Sequence, residues 1–242
     1  MRMFAGPNGS GKSSLKKFLS PNLLGIYLNP DEIEETIRRM GVLDCSVYSV
    51  QTTGDEVLAF FRNSPFLVEA GLHDAAERLH FSGGLSFENV EVNSYFASVA
   101  TDFLRLKLLQ AKISFTFETV MSHPGKVDLL AKARDAGYRT YLYYIATDDP
   151  AINVSRVRNR VKLGGHNVPE GKIVERYYRS LALLLEAIRL TNRAYIFDNS
   201  GENRDHTWVA EITEGQHLEL KTSQIPSWFK RSVLDKVDGS AQ

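Results

Sequence analysis

Cysteine is almost absent from this sequence: Cys45 is the only one in 242 residues, so an internal disulfide and a multi-cysteine metal site are both excluded. A buried or half-buried thiol is the expectation for it. Net charge is absent as well. Twenty-nine Lys and Arg stand against 29 Asp and Glu, so no overall field draws the chain to nucleic acid or to an anionic membrane. Any anion must be held locally. No apolar run approaches the roughly 20 residues that cross a bilayer, and no basic segment with an apolar stretch behind it opens the chain. A cytoplasmic protein touching neither membrane nor nucleic acid is expected. Repeats and low-complexity linkers are missing as far as Asp238 to Gln242, which reads as a frayed tail. What is present is an ordinary globular balance, 43% hydrophobic and 24% charged, which rules out disorder.

Short β-branched and aromatic runs alternate with amphipathic stretches of helix length. That alternation predicts an α/β fold with a mostly parallel central sheet flanked by helices. The strands expected are Met3 to Ala5, Ile26 to Leu28, Ile113 to Phe117, Tyr141 to Ala146 and Ala194 to Phe197, all apolar as strands covered on both faces should be. Asn93 caps a helix whose apolar face runs Phe96, Val99, Ala100, Phe103, Leu104 and Leu108. Gly137 closes a helix that starts near Lys126. Asp149-Pro150 opens another, and Pro169, placed at the first helical position, opens the longest, with the stripe Ile173, Tyr177, Leu181, Leu184 and Ile188. A hairpin over His206 to Ile212 and His217 to Leu220, turning at Glu214-Gly215, forms a small C-terminal β-extension. The expected division is therefore 1–200 for the α/β core and 201–242 for extension and tail of the same domain. Residues 41 to 92 show weak periodicity.

Gly6-Pro7-Asn8-Gly9-Ser10-Gly11-Lys12-Ser13 matches G-x-x-x-x-G-K-[ST], a loop that wraps phosphates with backbone N–H groups. Met3-Phe4-Ala5 before it and Leu15, Phe18 and Leu19 after it place the loop between a strand and a helix. The nucleotide contacts expected are Gly6 to Ser13 together with Ser14. Lys12 reaches the β- and γ-phosphates, and the Ser13 hydroxyl ligates Mg²⁺. Phe81-Ser82-Gly83-Gly84-Leu85 has the composition of the ABC-transporter signature, but irregular chain follows it where a helix is required. No guanine-specificity motif is present either. A motor, a transporter or a nucleic-acid-coupled ATPase is thereby set aside.

Phosphoryl transfer needs an acceptor site and positive charge around the transferred group. Asn29-Pro30-Asp31-Glu32 follows the second strand, at the edge where open α/β sheets bind ligands. Two roles stand open for Asp31: a base for a substrate hydroxyl, or one acid of an ordinary helix start capped by Asn29. Glu118-Thr119, at the end of the strand Ile113 to Phe117, offers a further carboxylate for an acceptor hydroxyl, a metal or a turn. Between Ser155 and Ser180 lie seven Lys and Arg against two acids, a net +5. Arg156 and Arg160 share a helix face there, and Arg158 points about 200° away from Arg156. Leu163-Gly164-Gly165-His166 follows as a loop suited to a lid. The neutral total thus sums an acidic Asp31 to Glu35 segment and a basic lid.

Taken together, the phosphate loop, Asn29-Pro30-Asp31, Asn93-Ser94-Tyr95, Phe117-Glu118-Thr119-Val120-Met121-Ser122, Arg156-Val157, Arg160-Val161 and Gly164-Gly165-His166-Asn167-Val168-Pro169 resemble the zeta-toxin-like branch of the P-loop kinases. The resemblance implies a P-loop kinase sheet with an Arg-rich lid, and use of ATP and Mg²⁺. It implies Asp31 as base, Glu118 and Thr119 as acceptor contacts with His166 and Arg176, and Arg156 and Arg160 on the transferring phosphate. The acceptor it implies is a hydroxyl of a nucleotide sugar such as UDP-N-acetylglucosamine, and the partner an antitoxin-type protein. One departure is that the family's Glu-Gly-Thr is shortened here to Glu118-Thr119. The rival expectation is an ATP-binding regulatory module, or a toxin–antitoxin component, without small-molecule turnover.

Overall fold

A computed structural model describes residues 1–165, 167–201 and 206–238. Among them ten strands form two sheets: β1 (Arg2–Ala5), β2 (Ile26–Leu28), β3 (Val42–Leu43), β4 (His80–Phe81), β5 (Leu85–Ser86), β6 (Phe115–Thr119), β7 (Tyr141–Ala146), β8 (Arg193–Asp198), β9 (Thr207–Thr213) and β10 (His217–Leu220). The chain divides into two compact units, one built from Met1–Leu23 and the chain from Phe117 onward, the other from Leu24–Thr116.

The first unit carries the strand order β10-β9-β8-β7-β1-β6. β1 and β8 both pair with β7 in parallel, in the registers Arg2↔Tyr141 to Ala5↔Tyr144 and Tyr141↔Arg193 to Ala146↔Asp198. Between β7 and β8 the chain crosses over through the helices Pro150–Lys162, Glu170–Ala182 and Leu184–Arg189, the length a parallel connection demands. Met3, Phe4 and Ala5 of β1 and Leu142 to Ala146 of β7 are buried, as their unbroken apolar runs require. β9 runs antiparallel to β8, and β10 folds back on β9 through the three residues Glu214, Gly215 and Gln216, with Glu214 and Gly215 at positive φ, 50° and 68°, and the Gln216 N–H returning to Thr213 O at 3.2 Å. The hairpin thus continues the main sheet. Behind it, Trp228 is fully buried; its indole N–H donates to Asp198 Oδ1 at 2.8 Å, while Ser227 Oγ donates to Asp148 Oδ1 at 2.9 Å. These bonds fasten the C-terminal segment to the ends of β7 and β8.

In the second unit, Ile26 N–H donates to Ser114 O at 3.2 Å, and Thr116 Oγ1 to Leu24 O at 2.5 Å, which sets β2 beside the start of β6. The helix Pro30–Met40 packs against the helix Ser94–Gln110. The weakly periodic segment contains the sheet β3-β5-β4 and short helices such as Gly54–Arg62. Cys45 is buried here, and burial pushes its thiol up to about 11, so it is an unreactive core side chain. No described helix is long and apolar enough to cross a membrane.

Three local expectations are corrected. The strand expected at Ile113 to Phe117 is Phe115–Thr119, because the helix Ser94–Gln110 closes through Lys112 at φ 55° and takes the Ile113 N–H back to Leu108 O at 3.1 Å. The helix expected after the phosphate loop is a seven-residue 3₁₀ helix, Lys12–Phe18, with Phe18 half exposed; the chain leaves it at Leu19, in extended backbone with φ −121° and ψ 138°. Pro169, with ψ 137°, lies outside the helix as its cap instead of at its first position, and that helix ends at Ala182 with a separate one, Leu184–Arg189, beyond Leu183. The tail residues 239–242 lie outside the described residues.

Because Trp228 fills a closed site and also satisfies Asp198, Trp228→Ala should cost about 3–5 kcal/mol of stability. A urea unfolding midpoint shifted by less than a third of that would show that the C-terminal segment is not part of the core.

Candidate functional site

The loop after β1 leaves the sheet at Gly6, where φ is 146° and a Cβ would sit 2.0 Å from the Ile145 carbonyl oxygen. At Gly9, φ is 75° and a Cβ would lie 2.6 Å from the Asn153 backbone oxygen. Both glycines are therefore dictated by backbone packed against backbone, which leaves no room for any side chain. Ser10 N–H donates to Pro7 O at 3.2 Å, and Gly6 N–H to Thr119 O at 3.3 Å. The Lys12 ammonium curls over the loop, donating to Gly6 O and Pro7 O at 3.0 Å each.

Next along the chain, the exposed Ser13 donates its hydroxyl to Glu118 Oε2 at 3.2 Å. Glu118 itself is only 7% exposed at the end of β6, the strand beside β1. The two-residue shift of β6 is what carries Glu118 into the strand and sets it against the phosphate loop. Thr119 builds the turn that follows: its Oγ1 accepts the Met121 N–H at 3.0 Å, with Met121 at φ 54°. Ser14 Oγ donates to Gly11 O at 2.5 Å and also meets His206 Nε2.

On the helix Pro150–Lys162, Arg156 is half buried and forked over the chain beyond β8, donating to Asn199 O at 2.8 Å and to Gly201 O at 3.0 Å. Arg158 is exposed and paired with Glu170 at 2.5 Å. Arg160 is exposed at the last turn, where its carbonyl accepts the Leu163 and Gly165 N–H groups and its side chain covers Gly165. Arg176 is half buried on the next helix. His166 lies outside the described residues.

In the second unit, Asn29 Oδ1 accepts the N–H groups of Asp31 at 2.9 Å and of Glu32 at 3.5 Å, so the helix start read from the sequence is formed. The Asp31 side chain is exposed beside that cap. In the first unit, three residues that touch the phosphate loop or Ser14 beyond it were not singled out from the sequence. Asn153 is fully buried and donates to Asn8 O at 2.6 Å; its signal was a polar residue on the apolar face that Val154 and Val157 define. Asn199 donates to Ser10 O at 2.8 Å, and its only sequence signal is its place just past a strand end. His206 gave none, since its contact with Ser14 spans 192 positions.

The arrangement offers backbone N–H groups, one ammonium, and a hydroxyl beside a carboxylate, the donor set for a polyphosphate with a hard divalent cation. The family model described as zeta toxin matches residues 84–208, just over half of the chain. In solved structures, the AvrRxo1-ORF1:AvrRxo1-ORF2 complex with sulphate ions matches at TM-score 0.54 and 13% identity, over 92% of this chain and 60% of that one. The same complex with ATP matches at 0.52 and 15%, over 91% and 60%. The PezAT toxin–antitoxin system of Streptococcus pneumoniae matches at 0.51 and 15%, over 97% and 78%. An uncharacterized protein of Haemophilus influenzae is 30% identical over 69 residues, which are 28% of this chain and 49% of that protein. The chain thus spans about half the length of this relative and three fifths of the AvrRxo1 chain. The fold is that of P-loop kinase-like proteins, with the mostly parallel sheet expected from the sequence.

Gly6→Ala should destabilise the protein by more than about 2 kcal/mol, because neither the positive φ nor the Ile145 carbonyl can yield cheaply. Thermal unfolding within a degree of the parent would show that the exit from β1 is softer than its geometry indicates.

Proposed function

The chain belongs to the zeta toxin family, and from that premise we propose that it is an ATP- and Mg²⁺-dependent kinase acting on a hydroxyl of a small molecule, a nucleotide sugar such as UDP-N-acetylglucosamine. The observation that carries this reading is the Ser13–Glu118 contact beside Lys12, a hydroxyl and a buried carboxylate brought together across 105 positions of sequence. Such oxygen ligands suit Mg²⁺, which takes one or two protein groups and completes its shell with phosphates and water. Ser13 and Glu118 would hold the ion, which supplies neutralisation of phosphate charge when bound. In this assignment Glu118 serves the metal instead of the acceptor.

The remaining steps fall to the chain's own groups. Lys12 exchanges two neutral carbonyls for phosphate oxygens, a stronger charge-assisted pairing. Asp31 takes the proton of the acceptor hydroxyl as its oxygen bonds to the γ-phosphorus. The bond from that phosphorus to the bridging oxygen breaks, and ADP leaves with the electron pair. Arg160, with Arg176 and His166 as acceptor-side contacts, bears on the charge of the transferring group. An antitoxin partner is supported by the toxin–antitoxin complex among the similar folds.

Labelled ATP, incubated with the protein and a nucleotide-sugar extract, should label one small molecule identifiable by mass spectrometry as a phosphorylated nucleotide sugar. No labelled metabolite, with ATP bound, would favour the regulatory-module alternative. Asp31→Asn should lower turnover by about 10²–10⁴-fold and leave ATP affinity within about twofold. Full turnover in that variant would remove Asp31 as base. Charge reversal at Arg160 should reduce kcat at least about tenfold, whereas the same change at Arg158, tied to Glu170 on the surface, should stay within about threefold; equal losses would overturn the assignment of Arg160.

A further inference from the structure

The phosphate loop has a second side, and its carbonyls are occupied. Asn153 Nδ2 donates to Asn8 O at 2.6 Å, Asn199 Nδ2 to Ser10 O at 2.8 Å, and Ser14 Oγ to Gly11 O at 2.5 Å. In a trans peptide, the carbonyl of one residue and the N–H of the next point in opposite directions. Drawing the carbonyls of Asn8, Ser10 and Gly11 outward therefore turns the N–H groups of Gly9, Gly11 and Lys12 inward, the direction from which such a loop cradles phosphate.

Each strut is itself oriented. Asn153 accepts from the Thr147 hydroxyl through Oδ1, which leaves its NH₂ group for the loop; both side chains are fully buried. Asn199 must donate, because its partner is a carbonyl that can only accept. Its main chain is held at both ends, the N–H by Ala146 O at 2.8 Å and the C=O by the Arg156 guanidinium at 2.8 Å. A Cβ on Gly11 would lie 2.6 Å from Asn199 Nδ2, so this side chain is packed flat against the loop. Ser14 Oγ, which donates to Gly11 O, also meets the ring nitrogen Nε2 of His206.

We infer that Asn199 is a positioning residue of the phosphate loop and that Arg156 acts through it, fixing the Asn199 main chain instead of touching the transferred phosphate. This rests on the proposed nucleotide-binding function and adds how the loop's donors are aimed. Arg156 reaches two carbonyls of the same segment, Asn199 and Gly201, as a planar fork should when its task is to fix backbone.

The test compares ADP with AMP affinity by calorimetry, because the β-phosphate is what the aimed N–H groups recognise. The unaltered protein should bind ADP well above AMP; equal affinities would sink the nucleotide reading and this inference with it. Given that preference, Asn199→Ala should cut the ADP:AMP ratio at least about tenfold with AMP affinity retained. Asn199→Asp, the same shape without the donor, should do likewise, and guards against a cavity effect in the alanine variant. A preserved ratio in folded Asn199→Asp overturns the inference for Asn199. Arg156→Ala should lower the ratio in the same direction, and the double variant Arg156→Ala with Asn199→Ala should lose little more than either alone. Additive losses would show that Arg156 contacts phosphate directly.

Discussion

Everything at the ligand edge of the main sheet depends on the chain leaving β1 with no side chain at Gly6, its Cα pressed under the Ile145 carbonyl. Parallel pairing of β1 with β7 fixes that carbonyl's position, so the sheet dictates where the loop begins. From there the loop has one solution. It must pass Asn153 closely enough to exclude a Cβ at Gly9, and it must bring Lys12 and Ser13 round to the end of β6. A neutral chain cannot gather phosphate with a long-range field, and this loop does not need one. Its donors are dipoles fixed in place before any ligand arrives, so no reorganisation is required when charge appears.

Much of this was legible in the sequence because it is local. The glycine spacing, the Asn29 and Asp149 caps and the apolar strand runs each act within a few residues, and all but the strand expected from Ile113 formed close to where they were read. Boundaries were less legible where two elements compete for the same residues. Ile113 looks like the start of a strand by composition, yet its N–H completes the preceding helix, and the strand begins only at Phe115. That displacement puts Glu118 inside the strand, where a reading of the strand as Ile113 to Phe117 had it just past the end. Least legible were the struts. Asn153 and Asn199 are ordinary polar residues in sequence, and their significance comes from carbonyls 145 and 189 positions away. No local pattern encodes such a pairing.

Charge in the basic segment is also more specific than its sum of +5 suggests. Arg158 is engaged by Glu170 and Arg179 by Glu175, both on the surface, where such pairs contribute about 0–1 kcal/mol and exchange readily with solvent. Arg156 is spent on main-chain carbonyls. Arg160 stands at the last turn of the helix Pro150–Lys162, where the chain leads into the Gly164-Gly165 bend.

Lys12 shows the same economy from the other side. Its ammonium rests on two carbonyls of its own loop, those of Gly6 and Pro7. Where a phosphate oxygen replaces such a carbonyl, the pairing becomes charge-assisted and stronger. The nearby carboxylate of Glu118 accepts the Ser13 hydroxyl. Neutral dipoles, two carbonyls and a hydroxyl, thus help to orient both the Lys12 ammonium and the Glu118 carboxylate before any ligand arrives.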